Sequence, residues 1–400
     1  MTIYQSIKDI PVSGKRVIVR VDYNVPFDKI TGNISDDSRM QLTLPSLRYL
    51  INQNAKIVLI SHRGRPSGKS ESLSLKPIGD HLSSLLGISV EVLEDCIGDE
   101  VIKKTQSMDP GEIVLLENLR FYKEEEDNDQ AFAVSLSQLG DYYVNEAFSV
   151  SHRAHASTES LPQLIPAVAG FLLEKEMFEL GRILKSPSKP LSIVMGGAKV
   201  SDKMNLMKKL VPLSENILVG GGMAAAFLSA SGHNIGISMI ESNGKTLATE
   251  IIAIAKSNQT NLLVPEDVVI SNNAGNAESF RTTEANSIPE DQMIVDIGPK
   301  TISNFSKVLK TSNTILWNGP MGIFEIHEFS NGTKKISQTI VEQANKGGII
   351  LLGGGSTAEA AKKFDILDKV THVSTGGGAS LQFLEGKDMP GITHLMINSR

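Results

Sequence analysis

The sequence predicts an α/β protein of two doubly wound parallel-sheet lobes, Rossmann-like in their winding and joined by a hinge helix. Three observations predict it. Short runs rich in Val, Ile and Leu recur, each followed by turn residues and a longer helical pattern, the alternation of parallel βα units. The runs fall into two series separated by a proline-broken segment. A chain of 400 residues has room for two cores of ordinary domain size.

The first series is RVIVRVDY from 16, KIVLISH from 56, SVEVL from 89, EIVLLE from 112 and DYYVNEA from 141. The second is PLSIVMG from 190, NILVGG from 216, NLLVPEDVVI from 261, QMIVDIG from 292, TILWNG from 314, GIILLGGG from 348 and VTHVSTGG from 370. All read as parallel strands. Between the series, Phe171, Met177, Phe178 and Leu184 stand near helical spacing, and SPSKP at 186 to 190 ends the pattern with two prolines. The expected division is a first lobe over 1–170, an interdomain helix and linker over 171–189, and a second lobe over 190–388. The acidic stretch Glu124 to Asp127, leading into Phe132, Leu136 and Leu139, reads as a solvated helix start matched to the macrodipole.

Composition narrows the function. With 40% hydrophobic and 21% charged residues, the chain is of ordinary globular make-up. A single cysteine, Cys96, forms no internal disulfide and no cysteine-rich zinc site, which suits a reducing cytoplasm. The expectation is a cytoplasmic protein, neither secreted nor membrane-spanning: MTIYQSIKDI lacks a basic start with an apolar core, and glycines interrupt the apolar run Ile217 to Ala230. A net charge of -6 argues against bulk affinity for nucleic acid while leaving room for a local cationic patch.

Ligands of open α/β sheets collect at the carboxyl ends of the strands. In the first half those ends are cationic: Arg39, then His62, Arg63 and Arg65 of SHRGRP, Arg120, and His152, Arg153 and His155 of SHRAHAS. The planar fork of Arg binds carboxylate or phosphate with two hydrogen bonds, so the pattern implies a small substrate with several negative charges. His152 and His155 look like a metal pair, but no third ligand stands nearby.

The second half carries glycine-rich turns instead: GGAKVSDK from 196, VGGGM from 219, NGPMG from 318, GGGST from 353 and STGGGAS from 374. Such turns let backbone amides and helix N-termini approach phosphate, which makes a nucleotide site. Lys199 and Lys203, four apart at an expected helix start, would repel each other and oppose the macrodipole unless a polyanion binds. GRPSGKS at 64 to 70 and SNGKT at 242 to 246 fail the spacing of a P-loop, and no GxGxxG follows the first strand, so a dehydrogenase is poorly supported. Trp317 reads as a core residue beneath NGPMG.

The strings VDYNVP, SHRGRP, LLENLRFYKEEEDND, SHRAHAS, PAVAGFLLEKE, GGAKVSDK, DIGPKT, ILWNGPMGIFE and VSTGGGASLQFLEGK, in this order from about residue 15 to about 391, closely resemble the phosphoglycerate kinase family. The resemblance implies reversible phosphoryl transfer from 1,3-bisphosphoglycerate to ADP, giving 3-phosphoglycerate and ATP in glycolysis. It further implies Mg2+ accompanying the nucleotide, an acidic sugar phosphate on the first lobe, the nucleotide on the second, lobes that close over both, and a 389–400 segment returning to the first lobe. A monomer is expected.

By motif match, Asp22 and Asn24 would hold the glycerate hydroxyl and nearby groups, and His62, Arg65, Arg120 and Arg153 the non-transferred phosphate. Arg39 would hold the reacting carboxyl, with Tyr23, Arg63 and Gly64 contributing backbone. Arg39, Lys199 and the amides of Gly376 and Gly377 would stabilise the transferring group, with no general base. Lys203 and Asn318 would serve the nucleotide phosphates, Glu325 the ribose, and Gly354, Gly355, Ser356 and Thr357 the phosphate loop.

The chain departs from the family pattern at Arg63, Glu146, Ser149, Val150 and Ser151, expected to alter only the surroundings of the site. Ser356 stands where the family usually has a metal-associated aspartate. Ser356 and Glu359 fit a capping box, which would keep the loop's shape. The competing reading from that missing aspartate is a non-catalytic two-lobed anion-binding protein of the same fold.

Overall fold

The computed structural model describes residues 4–275 and 277–397. Contacts divide the chain into two compact units, one running to Phe178 and resuming at Asp388, the other Glu179–Lys387.

In the first unit the elements follow as β1 (Arg16–Arg20), α1 (Ser38–Asn52), β2 (Lys56–Ile60), α2 (Lys76–Leu86), β3 (Val90–Val92), α3 (Asp99–Ser107), β4 (Ile113–Leu115), α4 (Lys123–Glu126), α5 (Gln130–Ser137), β5 (Tyr142–Asn145), β6 (Ala167–Ala169) and α6 (Phe171–Lys185). The six strands form one parallel sheet in the order β3-β4-β2-β1-β5-β6. Val17, Val19, Ile57, Leu59, Ile113 and Leu115 supply its buried core with Leu47, Leu50, Ile78 and Leu82 of the covering helices. β6 is a strand the apolar runs do not reveal, since its AVA is too short to show a period.

The order of strands reverses between β1 and β5, so the loops after those strands face one crevice. The last residues of the chain belong to the same unit: Asn145 Nδ2 donates to the Gly391 carbonyl at 2.6 Å, and Gly391 N–H to the Ser151 carbonyl at 2.9 Å.

The second unit runs β7 (Leu191–Met195), α7 (Met204–Leu210), β8 (Asn216–Val219), α8 (Met223–Ala230), α9 (Gly244–Ser257), β9 (Asn261–Leu263), β10 (Asp267–Ser271), β11 (Phe280–Glu284), β12 (Met293–Ile297), α10 (Pro299–Leu309), β13 (Thr314–Asn318), α11 (Asn331–Ala344), β14 (Ile349–Leu352), α12 (Gly355–Lys363), β15 (His372–Val373) and α13 (Gly378–Glu385). Its parallel sheet has the order β15-β14-β13-β7-β8-β9, with the switch between β7 and β13. Trp317 is fully buried on β13, and its Nε1 donates to the Gly319 carbonyl at 2.7 Å.

One reading of the apolar runs is corrected here. NLLVPEDVVI divides at Pro265 into β9 and β10, and β10 and β12 leave the main sheet for a small antiparallel one in which β10 lies between β11 and β12. β11, FRTTE, is largely exposed and polar, so no apolar run marks it. Val268 and Ile270 bury their side chains in a separate small cluster with Leu228, Ala285 and Ile288.

Candidate functional site

The carboxyl edge of the first sheet gathers the cationic residues. β1 delivers Asp22, which is buried, to the crevice. Arg39, in the first turn of α1, donates to its Oδ2 at 2.6 Å, and Ser149, from the loop after β5, donates a second short hydrogen bond to the same oxygen. His62 Nε2 lies 3.9 Å from Oδ1. Burial alone would push this carboxyl up, but His62, Arg39, the Ser149 hydroxyl and Arg20 together hold it below the usual range.

Around it stand guanidiniums with few anions. Arg20, fully buried in β1, donates from Nε to Ser157 Oγ at 2.9 Å and places Nη2 3.2 Å from His62 Nδ1. Arg120 is buried and donates to the Gly64 carbonyl at 2.8 Å, with Nε 3.1 Å from Glu126 Oε1. Arg153 is half-buried and Arg65 exposed, and the guanidinium of neither has a hydrogen bond or ion pair among the described residues. Burial first, and then these cations, depress three imidazoles. His62 falls well below its ordinary value, His152 falls as well, and His155 drops to about 4. The Nδ1 atoms of His152 and His155 are buried without a hydrogen bond. Such a cationic edge is chemically suited to an anion.

Two residues of this site escape a reading of the sequence. Arg20 is hidden inside an apolar strand, where a charged residue in the run RVIVRVDY is the one available signal. Glu125 belongs to the acidic stretch expected to be solvated, yet it is fully buried, accepting from Ser157 N–H at 2.9 Å and Oγ at 2.6 Å, 3.9 Å from Arg20. A lone buried guanidinium is costly, and Glu125 supplies the partner that makes Arg20 tolerable there.

The surrounding loops are tied down by their own groups. Asn24 is exposed and its Oδ1 accepts from Gly64 N–H at 3.0 Å, a residue with φ of 64°. Tyr23 turns its ring into the core, bonds Thr43 at 2.7 Å, and spends its N–H on Ser61 Oγ and its carbonyl on Val25. Arg63 stacks on Phe27 with its guanidinium 3.7 Å from the ring centroid and donates to the Ser74 carbonyl, while Asn118 engages both its backbone groups. The structure therefore gives the backbones of Tyr23 and Arg63 internal partners rather than leaving them open.

In the second unit, the loops after β7 and β13 touch at the switch point. A Cβ on Gly196 would come within 2.0 Å of the Pro320 carbonyl, and one on Gly319, whose φ is 100°, within 2.3 Å of the Gly196 carbonyl, so only glycine fits either place. Lys203 bridges the same loops, donating to the carbonyls of Gly196 and Asn318, the latter at 2.8 Å, and burial lowers its ammonium to about 8. Lys199 is exposed in a bend ahead of the turn Ser201–Lys203, with no hydrogen bond or ion pair among the described residues. The expectation of one helix face is thus corrected: α7 begins only at Met204, with Lys203 at its cap.

The loop after β14 opens α12. Asn318, buried, donates to the Gly353 carbonyl at 2.9 Å, and Thr357 Oγ1 accepts from Gly319 N–H while donating to the Gly353 carbonyl, both at 2.7 Å. Gly354, with φ of 92°, caps the helix, so the expected Ser356–Glu359 capping box is absent. Ser356 lies two positions past the cap, exposed in the first turn. The amides of Gly355, Ser356 and Thr357 have no partner among the described residues, which makes this helix start an open anion cradle. At α13, Gly377 caps the helix with φ of 53° and an amide without a partner among the described residues, whereas Gly376 N–H donates to Ser374 Oγ at 3.2 Å. Glu325 is exposed and its carbonyl accepts from Lys363. Among the described residues no three His, Cys, Asp or Glu side chains gather as a metal would need.

Comparison with known proteins agrees in its breadth. A profile described as phosphoglycerate kinase matches residues 7–387. A phosphoglycerate kinase of Pelotomaculum thermopropionicum is 44% identical over 393 residues, 98% of this chain and 99% of its own, and one of Dictyoglomus turgidum is 46% identical over 389 residues, 97% of each. Among solved structures, phosphoglycerate kinase from Coxiella burnetii superposes with a TM-score of 0.90 at 35% identity, covering 98% of both chains, and that from Pyrococcus horikoshii with 0.83 at 32%, with the same coverage. The chain belongs to the phosphoglycerate kinase family, phosphotransferases with a carboxyl group as acceptor.

Proposed function

We propose that the first unit holds the glycerate phosphate and the second the nucleotide of a transfer from 1,3-bisphosphoglycerate to ADP. The observation that carries this reading is the gathering of Arg20, Arg120 and Arg153 on one sheet edge around His62, His152 and His155, whose imidazoles burial first and these cations next depress, a setting that favours a polyanion. His62, Arg65, Arg120 and Arg153 hold the non-transferred phosphate, Asp22 and Asn24 the hydroxyl end, and Arg39 exchanges its bond to Asp22 for the reacting carboxyl.

Phosphoryl transfer requires alignment and charge neutralisation rather than a general base. Lys199 and the Gly377 amide, which have no hydrogen bond among the described residues, are available for the transferring group. The amides of Gly355 to Thr357, with Lys203 and Asn318 shaping the loop, cradle nucleotide phosphates, and Glu325 takes the ribose. Mg2+ arrives as part of the nucleotide: the loop at Ser356 offers hydroxyl and amide groups, a donor set suited to phosphate and poor for a resident divalent cation. The same reading places a monomeric enzyme in the cytoplasm; no described helix is long and apolar enough to cross a membrane.

A coupled assay of ATP consumption tests the reading. Consumption that depends on 3-phosphoglycerate is expected, and its absence in folded protein that binds ADP would leave only an anion-binding role.

A further inference from the structure

The carboxyl of Glu146 is fully enclosed at a junction of three elements. It follows β5 directly, three residues before Ser149. Its Oε1 accepts a 2.5 Å hydrogen bond from Ser46 Oγ on α1, the helix whose first turn carries Arg39. Both its oxygens lie 3.2 Å from Leu172 N–H in the first turn of α6, and Ser46 Oγ accepts from Phe171 N–H at 3.0 Å. Gly170 makes the room, since a Cβ there would meet Oε2 at 1.8 Å.

Ser46 Oγ accepts from Phe171 N–H and donates its own proton to Glu146, which also accepts from the Leu172 amide at the start of α6. An anion at a helix N-terminus is favoured by the macrodipole as well. α6 is no ordinary helix of the first unit: the division between the two units falls inside it, at Phe178 and Glu179.

We propose that Glu146 is a positioning residue for the phosphoryl transfer, binding the first turn of α6 to α1 and to the substrate loop, so that the helix leading into the nucleotide unit starts from a place set by Arg39 and Ser149. The proposal rests on the kinase reading above. Length matters in it: an aspartate, one methylene shorter, cannot span from the end of β5 to Leu172 in the same backbone. So does charge, because protonation would weaken the carboxylate as acceptor for the Ser46 hydroxyl and the Leu172 amide. Burial pushes this carboxyl up to about 7. The titratable groups that face it are Glu174 on α6 and Tyr23 beyond β1, and Lys8 lies over the Phe171 ring at the same helix start, 4.9 Å from its centroid.

The experiment is steady-state kinetics from pH 6 to 8.5 on the full chain and on Glu146→Gln, Glu146→Asp and Ser46→Ala, with binding of 3-phosphoglycerate and ADP measured separately. Turnover by the unaltered chain tests the kinase reading itself. The positioning role predicts that Glu146→Gln and Ser46→Ala lower kcat about tenfold, with both dissociation constants within about twofold, a misplacement effect. It also predicts a rise of kcat through about pH 7 that Glu146→Gln lacks, and a double variant no worse than either single one. Unchanged kcat in folded Ser46→Ala overturns it even if Glu146→Gln does not fold. Full activity of Glu146→Asp, or a kcat loss matched by equal loss of 3-phosphoglycerate binding, overturns it too.

Discussion

Arg39 Nη1 and Asp22 Oδ2 stand 2.6 Å apart, an ion pair in which the carboxylate is buried and the guanidinium is 40% exposed. The pair stores a cation at the crevice in a form that a substrate carboxylate can take over. Because Arg39 belongs to the first unit, Arg39→Ala is expected to lower kcat by about two orders of magnitude, the range for loss of one charge-stabilising donor. ADP affinity should stay nearly unchanged. Calorimetric titration with ADP checks this, and an equal loss of ADP binding would refute the assignment.

Lys199 and Lys203 differ in a way their spacing hides. Lys199 has no hydrogen bond or ion pair among the described residues, so Lys199→Ala should lower kcat and leave ADP affinity largely intact. Lys203→Ala strips the carbonyls of Gly196 and Asn318 of a donor and loosens two loops that meet there, so ADP affinity should fall as well. Kinetics and ADP binding on both variants, if indistinguishable, would remove the division.

ADP binding should also weaken as pH rises through about 8. Burial lowers the Lys203 ammonium to that value, so the cation that accompanies a phosphate is present below it and lost above it. A dissociation constant flat from pH 7 to 9 would show that Lys203 does not titrate there.

Asp296 predicts a stability signature. Buried beneath the start of α11, it accepts from Gly332 N–H at 2.6 Å and from Ile297 N–H, yet burial raises it to about 7. A carboxyl raised on folding holds its proton more tightly in the native state, so its contribution is full below about pH 4 and is lost as pH rises through about 7. Relative to the unaltered chain, Asp296→Asn should gain stability between pH 5 and about 7 and level off above it. Urea unfolding across that range measures it, and a pH-independent difference would contradict the raised value.

Ser356 stands exposed in the first turn of α12. Ser356→Asp adds a carboxylate beside open amides and should lower the Mg concentration needed for half-maximal rate. An unchanged midpoint in folded protein would show that this position does not limit the metal's association.

What was legible in the sequence is what short-range chemistry encodes. Apolar runs with turn residues after them mark strands and their carboxyl ends, so Arg39, His62, Arg120 and Arg153 could be named as one cationic edge, and the glycine turns as another kind of edge. Tertiary structure decided the rest. Whether Asp267–Ser271 joins a parallel or an antiparallel sheet depends on a partner, Phe280–Glu284, whose polar residues carry no strand signal. Glu125 reads as solvent-facing until Arg20 and Ser157 close around it, and the start of α12 belongs to Gly354 because a positive φ, invisible in composition, places the first turn there. Local propensity acts over a turn or two, whereas burial and partner choice are settled by residues a hundred or more positions away, as between Ser46 and Glu146.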